Sequence, residues 1–179
     1  MKKYSVSLLI LGLLFSGCVS EKLPQKPEDM PDVQYEKYIE LIKSTRQTIK
    51  ETKDAFPTQA YLDMGLYSQI LQDYAAAEDA YNAVLEVVPT NNLALNNLAV
   101  VKEEQGKDEE ALLLYGRLID AAPTSYEAMN DLVRLFKKTG RVQDGRKTLE
   151  NFIKNFPQEK KNDAFLKFVS DMFISLNEK

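Results

Sequence analysis

Three prolines at equal intervals constrain this chain more than any other feature of its sequence. Pro89, Pro123 and Pro157 follow one another at a spacing of 34 residues. A fixed period of this length is typical of helical repeat arrays, in which each unit buries its apolar face only against its neighbours. With a proline at position 32 of each unit, the predicted units are residues 58–91, 92–125 and 126–159.

Other positions repeat with the same period. Large residues recur at positions 4, 7, 24 and 27, and small residues recur at positions 8 and 20, except for Val133 at position 8 of the third unit. In the order of the units, position 4 is Tyr61, Leu95 and Met129; position 7 is Met64, Leu98 and Leu132; position 24 is Tyr81, Tyr115 and Leu149; position 27 is Val84, Leu118 and Phe152; position 8 is Gly65, Ala99 and Val133; and position 20 is Ala77, Ala111 and Gly145. Small residues allow two helices to cross closely. Gly106 and Gly140 at position 15 supply a turn with positive φ, where the first unit has Gln72.

This pattern resembles the tetratricopeptide repeat (TPR) family, in which large, small, aromatic and proline positions follow in this order. The resemblance covers residues 58–159. It implies an all-α fold, a TPR-type right-handed helical-repeat solenoid of three repeats with a flanking helix at each end. We expect the second helices of the repeats to begin near Tyr74, Asp108 and Val142.

Two flanking helices are predicted from their apolar spacing. Residues 32–57 carry an apolar stripe at helical spacing, and we expect a helix from about Asp32, or a neighbour as its cap, to about Phe56. Residues 160–179 are expected to form a C-terminal capping helix, because the last unit of an array exposes an apolar face that needs cover.

The segment that precedes these helices is rich in proline and polar residues. Residues 18–31 contain Pro24, Pro27 and Pro31 among Glu, Lys and Gln. Such a composition favours a solvated, extended tether. Fully stretched, a tether of this length reaches at most about 50 Å.

Residues 1–17 have the pattern of an export signal, with two early lysines followed by a short apolar run. The run ends in Ser16-Gly17-Cys18, and small residues before a lone cysteine resemble a bacterial lipoprotein signal. The resemblance implies that Cys18 becomes a lipidated N-terminus carrying acyl chains such as palmitate. Val19 in place of aspartate then points to the outer membrane, facing the periplasm, if the source is Gram-negative. The alternative is an ordinary signal peptide with an incidental cysteine.

Composition argues against most other classes of function. The chain contains no histidine, which removes Ser-His, Cys-His and His-metal arrangements, and we find no phosphate-binding or dinucleotide motif. We therefore expect no catalysis, no cofactor, no metal site and no small-molecule substrate. The formal net charge of −4 disfavours nucleic acid as a partner.

A partner groove is implied by the TPR resemblance, since the first helices of TPR units line a concave surface. The residues implied there are Leu62, Leu66, Gln69, Asn96, Asn97, Val100, Asn130, Arg134 and Lys137. In one reading the leucines accept apolar side chains, the asparagines bond a peptide backbone and Arg134 meets an acidic group. In the other, the helix over residues 32–56 or the C-terminal helix fills the groove.

One TPR binding mode is disfavoured by the residues themselves. Co-chaperone TPR domains grip a C-terminal carboxylate through Lys, Asn and Arg at set positions. The matching positions here hold Leu62, Leu66, Glu127 and Asp131, and only Asn97 fits.

We therefore expect a membrane-anchored TPR adaptor or scaffold lipoprotein that mediates protein–protein interactions in a bacterial cell-envelope assembly. Two alternatives remain open. The chain is a self-associating structural subunit, or it is a pilotin-like biogenesis factor for an envelope machine such as a type IV pilus.

Overall fold

The computed structural model describes residues 22–52 and 55–177, and within these residues all regular structure is helical. The helices are α1 (Asp32–Glu51), α2 (Thr58–Ile70), α3 (Tyr74–Val87), α4 (Asn92–Glu104), α5 (Asp108–Ala121), α6 (Tyr126–Lys138), α7 (Val142–Asn155), a short 3₁₀ helix (Gln158–Lys160) and α8 (Asp163–Asn177). The predicted all-α repeat fold is confirmed. The predicted signal peptide and Cys18 lie outside the described residues.

The helix boundaries follow the 34-residue period. First helices begin at Thr58, Asn92 and Tyr126, the first residues of the three predicted units. Second helices begin at Tyr74, Asp108 and Val142, as the sequence predicted.

The turns inside the repeats depend on backbone with positive φ. Gly106 and Gly140 both adopt a φ of 73°, and Gln72 adopts 58° at the equivalent place in the first repeat. Glycine reaches this region without steric cost, whereas a residue with a Cβ is strained there. The first repeat therefore makes the same turn as the others at a higher conformational cost.

The spaced prolines lie just beyond the second helices. The residues before them, Val88 and Ala122, have left helical geometry, with φ/ψ near −129°/83° and −131°/73°. A proline disfavours helical backbone in the residue before it, which explains why the helices end at this point of each unit.

The chain divides into two compact units, Met1–Val101 and Lys102–Lys179, with the division inside α4. In unit 1, α2 packs against both α1 and α3. Gly65 on α2 lies against the ring of Tyr81 on α3, and a Cβ added to Gly65 would lie 2.4 Å from the ring atom Cε1. The glycine therefore creates the space that the tyrosine fills.

In unit 2, α8 packs against α6 and α7 and joins an aromatic cluster. The Phe165 ring stacks on Phe156 at 4.4 Å between centroids, and Phe168 stacks on Tyr126 at 4.7 Å. Phe165 is only 2% exposed. Helix α8 thus covers an apolar face of the third repeat, as expected of the C-terminal capping helix.

The N-terminal flanking helix is shorter than expected. Helix α1 ends at Glu51, and its N-cap is Pro31, with no side chain capping the first turn. Phe56 was predicted near the helix end, but it lies outside the helix and stacks on Tyr61 at 4.7 Å between ring centroids. The proline at position 57 disfavours helical backbone at Phe56, which explains why Phe56 itself is not helical.

Residues 22–31, here called the N-terminal strap, also differ from the expectation. This segment was predicted to be part of a solvated, extended tether. Instead Pro24 and Pro27 are buried, and the hydroxyl of Tyr35 on α1 donates a 2.8 Å hydrogen bond to the carbonyl of Pro24. The composition indicated the absence of regular structure, but it did not reveal that the prolines pack.

Among the described helices, none is both long enough and apolar enough to cross a membrane. The described residues likewise contain no group of histidine, cysteine or acidic side chains arranged to hold a metal ion.

Candidate protein-interaction surface

The predicted partner residues of the first repeat lie along α2 and differ in exposure. Leu62 is 7% exposed, so it belongs to the core and offers little surface to a partner. Leu66, one turn later, is 43% exposed. Gln69 is half-buried and accepts a long, 3.5 Å hydrogen bond from the hydroxyl of Tyr81. Of these three, Leu66 is the one that presents apolar surface.

The second repeat presents a mixed apolar and amide face on α4. Leu93, Asn96, Asn97 and Val100 follow the i, i+3, i+4, i+7 spacing of one helix face. Leu93 is 60% exposed, and the other three are half-buried. The side-chain oxygen of Asn96 is buried and has no hydrogen-bond partner among the described residues. A buried acceptor without a donor is unusual, because leaving it unpaired costs free energy.

The third repeat contributes Asn130, Arg134 and Lys137 on α6. Asn130 is exposed and Lys137 is half-buried. Arg134 was predicted to meet an acidic group of a partner, but it forms two hydrogen bonds to the carboxylate of Glu103, at 2.9 and 2.8 Å. The fork-shaped guanidinium of Arg134 thus already holds a carboxylate of its own chain, and its contact with a partner stays a prediction.

Glu103 is held from a second side as well. The hydroxyl of Tyr115 donates a 2.8 Å hydrogen bond to it, and the Glu103 side chain is only 12% exposed. Burial raises the pKa of Glu103, but the hydrogen bonds from Arg134 and Tyr115 outweigh burial, so its pKa lies below the usual value. The carboxylate therefore stays ionised and paired.

The surrounding groups respond to the same contact. Burial, followed by the bond to Glu103, raises the pKa of Tyr115, and the hydrogen bond to Glu103 raises the pKa of Arg134. Burial also raises the pKa of Asp131, and it outweighs the attraction of Arg134, whose Nε lies 3.6 Å from the Asp131 carboxylate. Arg134 thus lies between two carboxylates with opposite pKa shifts.

Two further ion pairs join the second and third repeats inside unit 2. Lys138 pairs with Asp108 at 2.7 Å, and Arg141 pairs with Glu109 at 2.6 Å. Together with Glu103–Arg134 they join residues about one repeat apart in sequence. Lys138 at the end of α6 and Arg141 in the following turn therefore meet acids of the same chain.

A repeated pair of positions in the sequence could have predicted the Tyr115–Glu103 hydrogen bond. Tyrosine at position 24 lies 12 residues after a hydrogen-bond acceptor at position 12 in two repeats, as Gln69 with Tyr81 and Glu103 with Tyr115. The third repeat has Lys137 and Leu149 at these places and lacks the pair.

Neither flanking helix hides the exposed members of this set within its own unit. Helix α1 packs on α2 through contacts such as Tyr38 with Tyr67, whose rings lie 6.1 Å apart, yet Leu66 remains exposed. Helix α8 packs on α6 and α7, yet Asn130 and Arg134 remain exposed.

Comparison with known proteins agrees with the repeat register. Two tetratricopeptide repeat models match the chain, over residues 62–126 and 127–159. A photosystem I assembly protein Ycf3 of Parasynechococcus marenigrum (strain WH8102) is 30% identical over 100 residues, covering 53% of this chain and 56% of that protein. The Ycf3 of Synechococcus sp. (strain CC9902) is 29% identical over 96 residues, covering 52% and 54%.

A Caenorhabditis elegans relative, tetratricopeptide repeat protein 8, is 36% identical over 83 residues, covering 46% of this chain but 16% of that protein. The chain thus spans about half the length of the Ycf3 proteins and a smaller part of the third relative. The repeats indicate a role in protein–protein interaction. On the helix register and the family matches together, the chain belongs to the tetratricopeptide repeat family.

Proposed function

We propose that this protein is a lipid-anchored, non-catalytic TPR adaptor that docks a protein partner in a bacterial cell-envelope assembly. Cys18 is the proposed lipidation site, and the proposed location is the outer membrane facing the periplasm in a Gram-negative source. The name of the Ycf3 relatives, which is that of an assembly protein, supports an assembly role by similarity.

The observation that carries the docking proposal is exposed apolar surface on the first helices of unit 1. Leu66 on α2 is 43% exposed and Leu93 on α4 is 60% exposed, while the same helices bury Met64 and Leu95 almost completely. Apolar side chains left in water on a helical repeat favour a partner that covers them.

The anchor is tested by the mass of the mature N-terminal peptide isolated from membranes. The proposal predicts a peptide that begins at Cys18 and carries diacylglyceryl and acyl groups. The control replaces residues 1–18 with a conventional cleavable signal peptide and should yield soluble protein. An unmodified N-terminus at another residue would contradict the anchor.

The docking face is tested by capture of the partner from detergent-solubilised membranes with three forms of the protein. Leu93→Asp should lose the partner, because a charge replaces apolar surface at the proposed contact. Leu113→Asp is the matched control, since Leu113 is 72% exposed on α5 and is not one of the proposed contacts. For a peptide-like partner we expect a Kd on the order of micromolar, as for interfaces of limited area. Equal capture by both variants would contradict the assignment.

A second candidate, self-association, is favoured by the outer face of α8. Leu166 and Ile174 are 60% and 54% exposed, eight residues apart on this helix. Sedimentation velocity of residues 19–179 tests it. A concentration-dependent dimer that Leu166→Glu abolishes would establish self-association, and a monomer at all concentrations would exclude it.

A further inference from the structure

The N-terminal strap is fastened to α1 at several points. Arg46 donates a 2.8 Å hydrogen bond from Nη2 to the carbonyl of Lys22, and Tyr35 bonds the carbonyl of Pro24. Lys26 pairs with Asp32 at 2.5 Å. The described chain is therefore held against the fold from its first residue, Lys22.

This fastening shortens the reach between the proposed anchor and the folded unit. Four residue steps separate Cys18 from Lys22. Their greatest possible span is about 14 Å, compared with about 50 Å for a free tether over residues 18–31. The headgroup layer on each side of a bilayer is about 5–8 Å deep. An anchored protein therefore has little room to stand away from the lipid surface.

The part of the fold nearest to Lys22 is basic. Lys43, Arg46 and Lys50 follow the i, i+3, i+7 spacing of one face of α1, and Arg46 is the residue that holds the Lys22 carbonyl. Lys43 also pairs with Glu40 at 2.7 Å, and Glu51 is the one acidic residue between positions 43 and 51. Lys22 adds a fourth positive charge, although the whole chain has a net charge of −4.

An apolar residue accompanies these charges. Leu23 is 37% exposed directly after Lys22. Basic side chains beside a short apolar contact suit the interface of an anionic membrane, where attraction acts within about a Debye length of the surface.

We infer that the anchored protein lies directly on the bilayer, with the Lys22 end of the strap and the basic face of α1 (Lys43, Arg46, Lys50) against the phosphate groups of anionic phospholipids. The inference rests on the proposed anchor at Cys18. In this orientation α1 is the helix of unit 1 that faces the membrane. Leu66 and Leu93 then remain available to the protein partner.

Fluorescence quenching on vesicles tests this orientation. The mature lipidated protein, which begins at Cys18, is reconstituted into vesicles of phosphatidylcholine with about one-third phosphatidylglycerol, in which some lipids carry a headgroup nitroxide. A fluorophore is placed through Gln47→Cys on α1 or Asn82→Cys on α3, both exposed positions of unit 1. Cys18 is the chain's only native cysteine, and its sulfur is blocked in the lipidated form, so the label attaches at one site.

We expect the label at position 47 to be quenched at least about threefold more than the label at position 82. Lys43→Gln together with Lys50→Gln should bring quenching at position 47 close to that at position 82. The matched control, Lys154→Gln with Lys160→Gln, removes the same charge from exposed positions of unit 2 and should change nothing.

Three outcomes would overturn the inference. Protein that carries no lipid and does not float with vesicles overturns both this inference and the proposed anchor. Floating protein with equal quenching at the two positions overturns the orientation alone. The label at position 47 could instead be shielded from the nitroxide lipids. Shielding that rises with protein density, and not with phosphatidylglycerol content, would assign the basic face to a second copy of the chain.

Discussion

The two units use glycine to solve different packing problems. In unit 1, Gly65 makes room inside a repeat, because the Tyr81 ring occupies the place of a side chain. In unit 2, Gly145 makes room for Phe136 and for Leu176 of the capping helix, with distances of 3.2 and 3.1 Å from an added Cβ. The position of a small residue is therefore set by the large side chain that must approach it.

The largest expected effect is at Gly65. Gly65→Ala places a Cβ 2.4 Å from the Tyr81 ring, so backbone or ring must move, and we expect unfolding free energy to fall by about 3 kcal/mol. Gly145→Ala should cost about 1 kcal/mol, because its closest neighbours, Leu176 Cδ2 at 3.1 Å and Phe136 Cβ at 3.2 Å, are farther away than the Tyr81 ring is from Gly65. Denaturant unfolding measures both values.

The control for this pair is Gly116→Ala on α5, where nothing lies within 4 Å of an added Cβ. Alanine favours helix over glycine, so this variant should gain about 0.5–1 kcal/mol. If Gly65→Ala were as stable as Gly116→Ala, the close approach of Tyr81 would be contradicted.

The next effect concerns the small residues of the second helices. Ala77 and Ala111 are both 0% exposed. Ala111→Leu should overpack unit 2 and lower stability by roughly 1–3 kcal/mol, and Ala77→Leu should do the same in unit 1. An unchanged melting temperature for either variant would refute its place at a helix crossing.

A smaller effect is expected for the buried carboxylate of unit 2. Arg134→Ala removes the two hydrogen bonds from Arg134 to Glu103 and leaves the hydrogen bond from Tyr115. We expect the free energy of unfolding to fall by about 1–2 kcal/mol. Lys167→Ala is the control, since Lys167 and its partner Asp171 are 80% and 54% exposed. Exposed pairs of this kind contribute less than about 0.5 kcal/mol. Equal losses would show that Glu103 is better solvated than its contacts indicate.

The same carboxylate predicts a pH dependence. The pKa of folded Glu103 is lowered, so its contribution is present above the unfolded pKa and is lost as pH falls through the folded value. The pKa of Asp131 is raised in the folded protein, so its contribution to the pH dependence of stability has the opposite sign. Stability should therefore fall less steeply on acidification in Glu103→Gln than in the wild type. Parallel pH profiles would contradict the pairing.

The smallest expected effect compares the repeat turns. Gln72→Gly should raise stability by about 0.5 kcal/mol, because relief of the strained φ of 58° exceeds the entropy cost of glycine. Gly106→Gln in unit 2 should lower stability by a similar amount. A destabilising Gln72→Gly would mean that contacts of the glutamine side chain outweigh its backbone strain.

Much of the fold was readable from the sequence because the repeat period fixes local geometry. The prolines at position 32 fix the register of the three units, and this register placed the starts of α3, α5 and α7 at the observed residues. The burial of Pro24 and Pro27 was not predictable, since proline in an extended segment has the same composition whether it is solvated or packed.

The candidate site was less predictable than the fold. Position numbers place Leu62 and Leu66 on one helix face but do not show that only Leu66 remains exposed. Arg134 was assigned to a partner from its groove position, whereas the carboxylate that it grips with two hydrogen bonds, Glu103, lies 31 residues away in sequence. Such contacts arise from packing between repeats, which the period alone does not specify.

Partner docking is tested most directly by photo-crosslinking in intact cells from a photoreactive residue at position 93, with position 113 as control. Both leucines are strongly exposed, at 60% and 72%. Docking on the first helices of unit 1 predicts a discrete adduct with one partner protein from position 93 and none from position 113. Equal adducts from both positions, or adducts only between copies of this chain, would contradict partner docking on the first helices of unit 1.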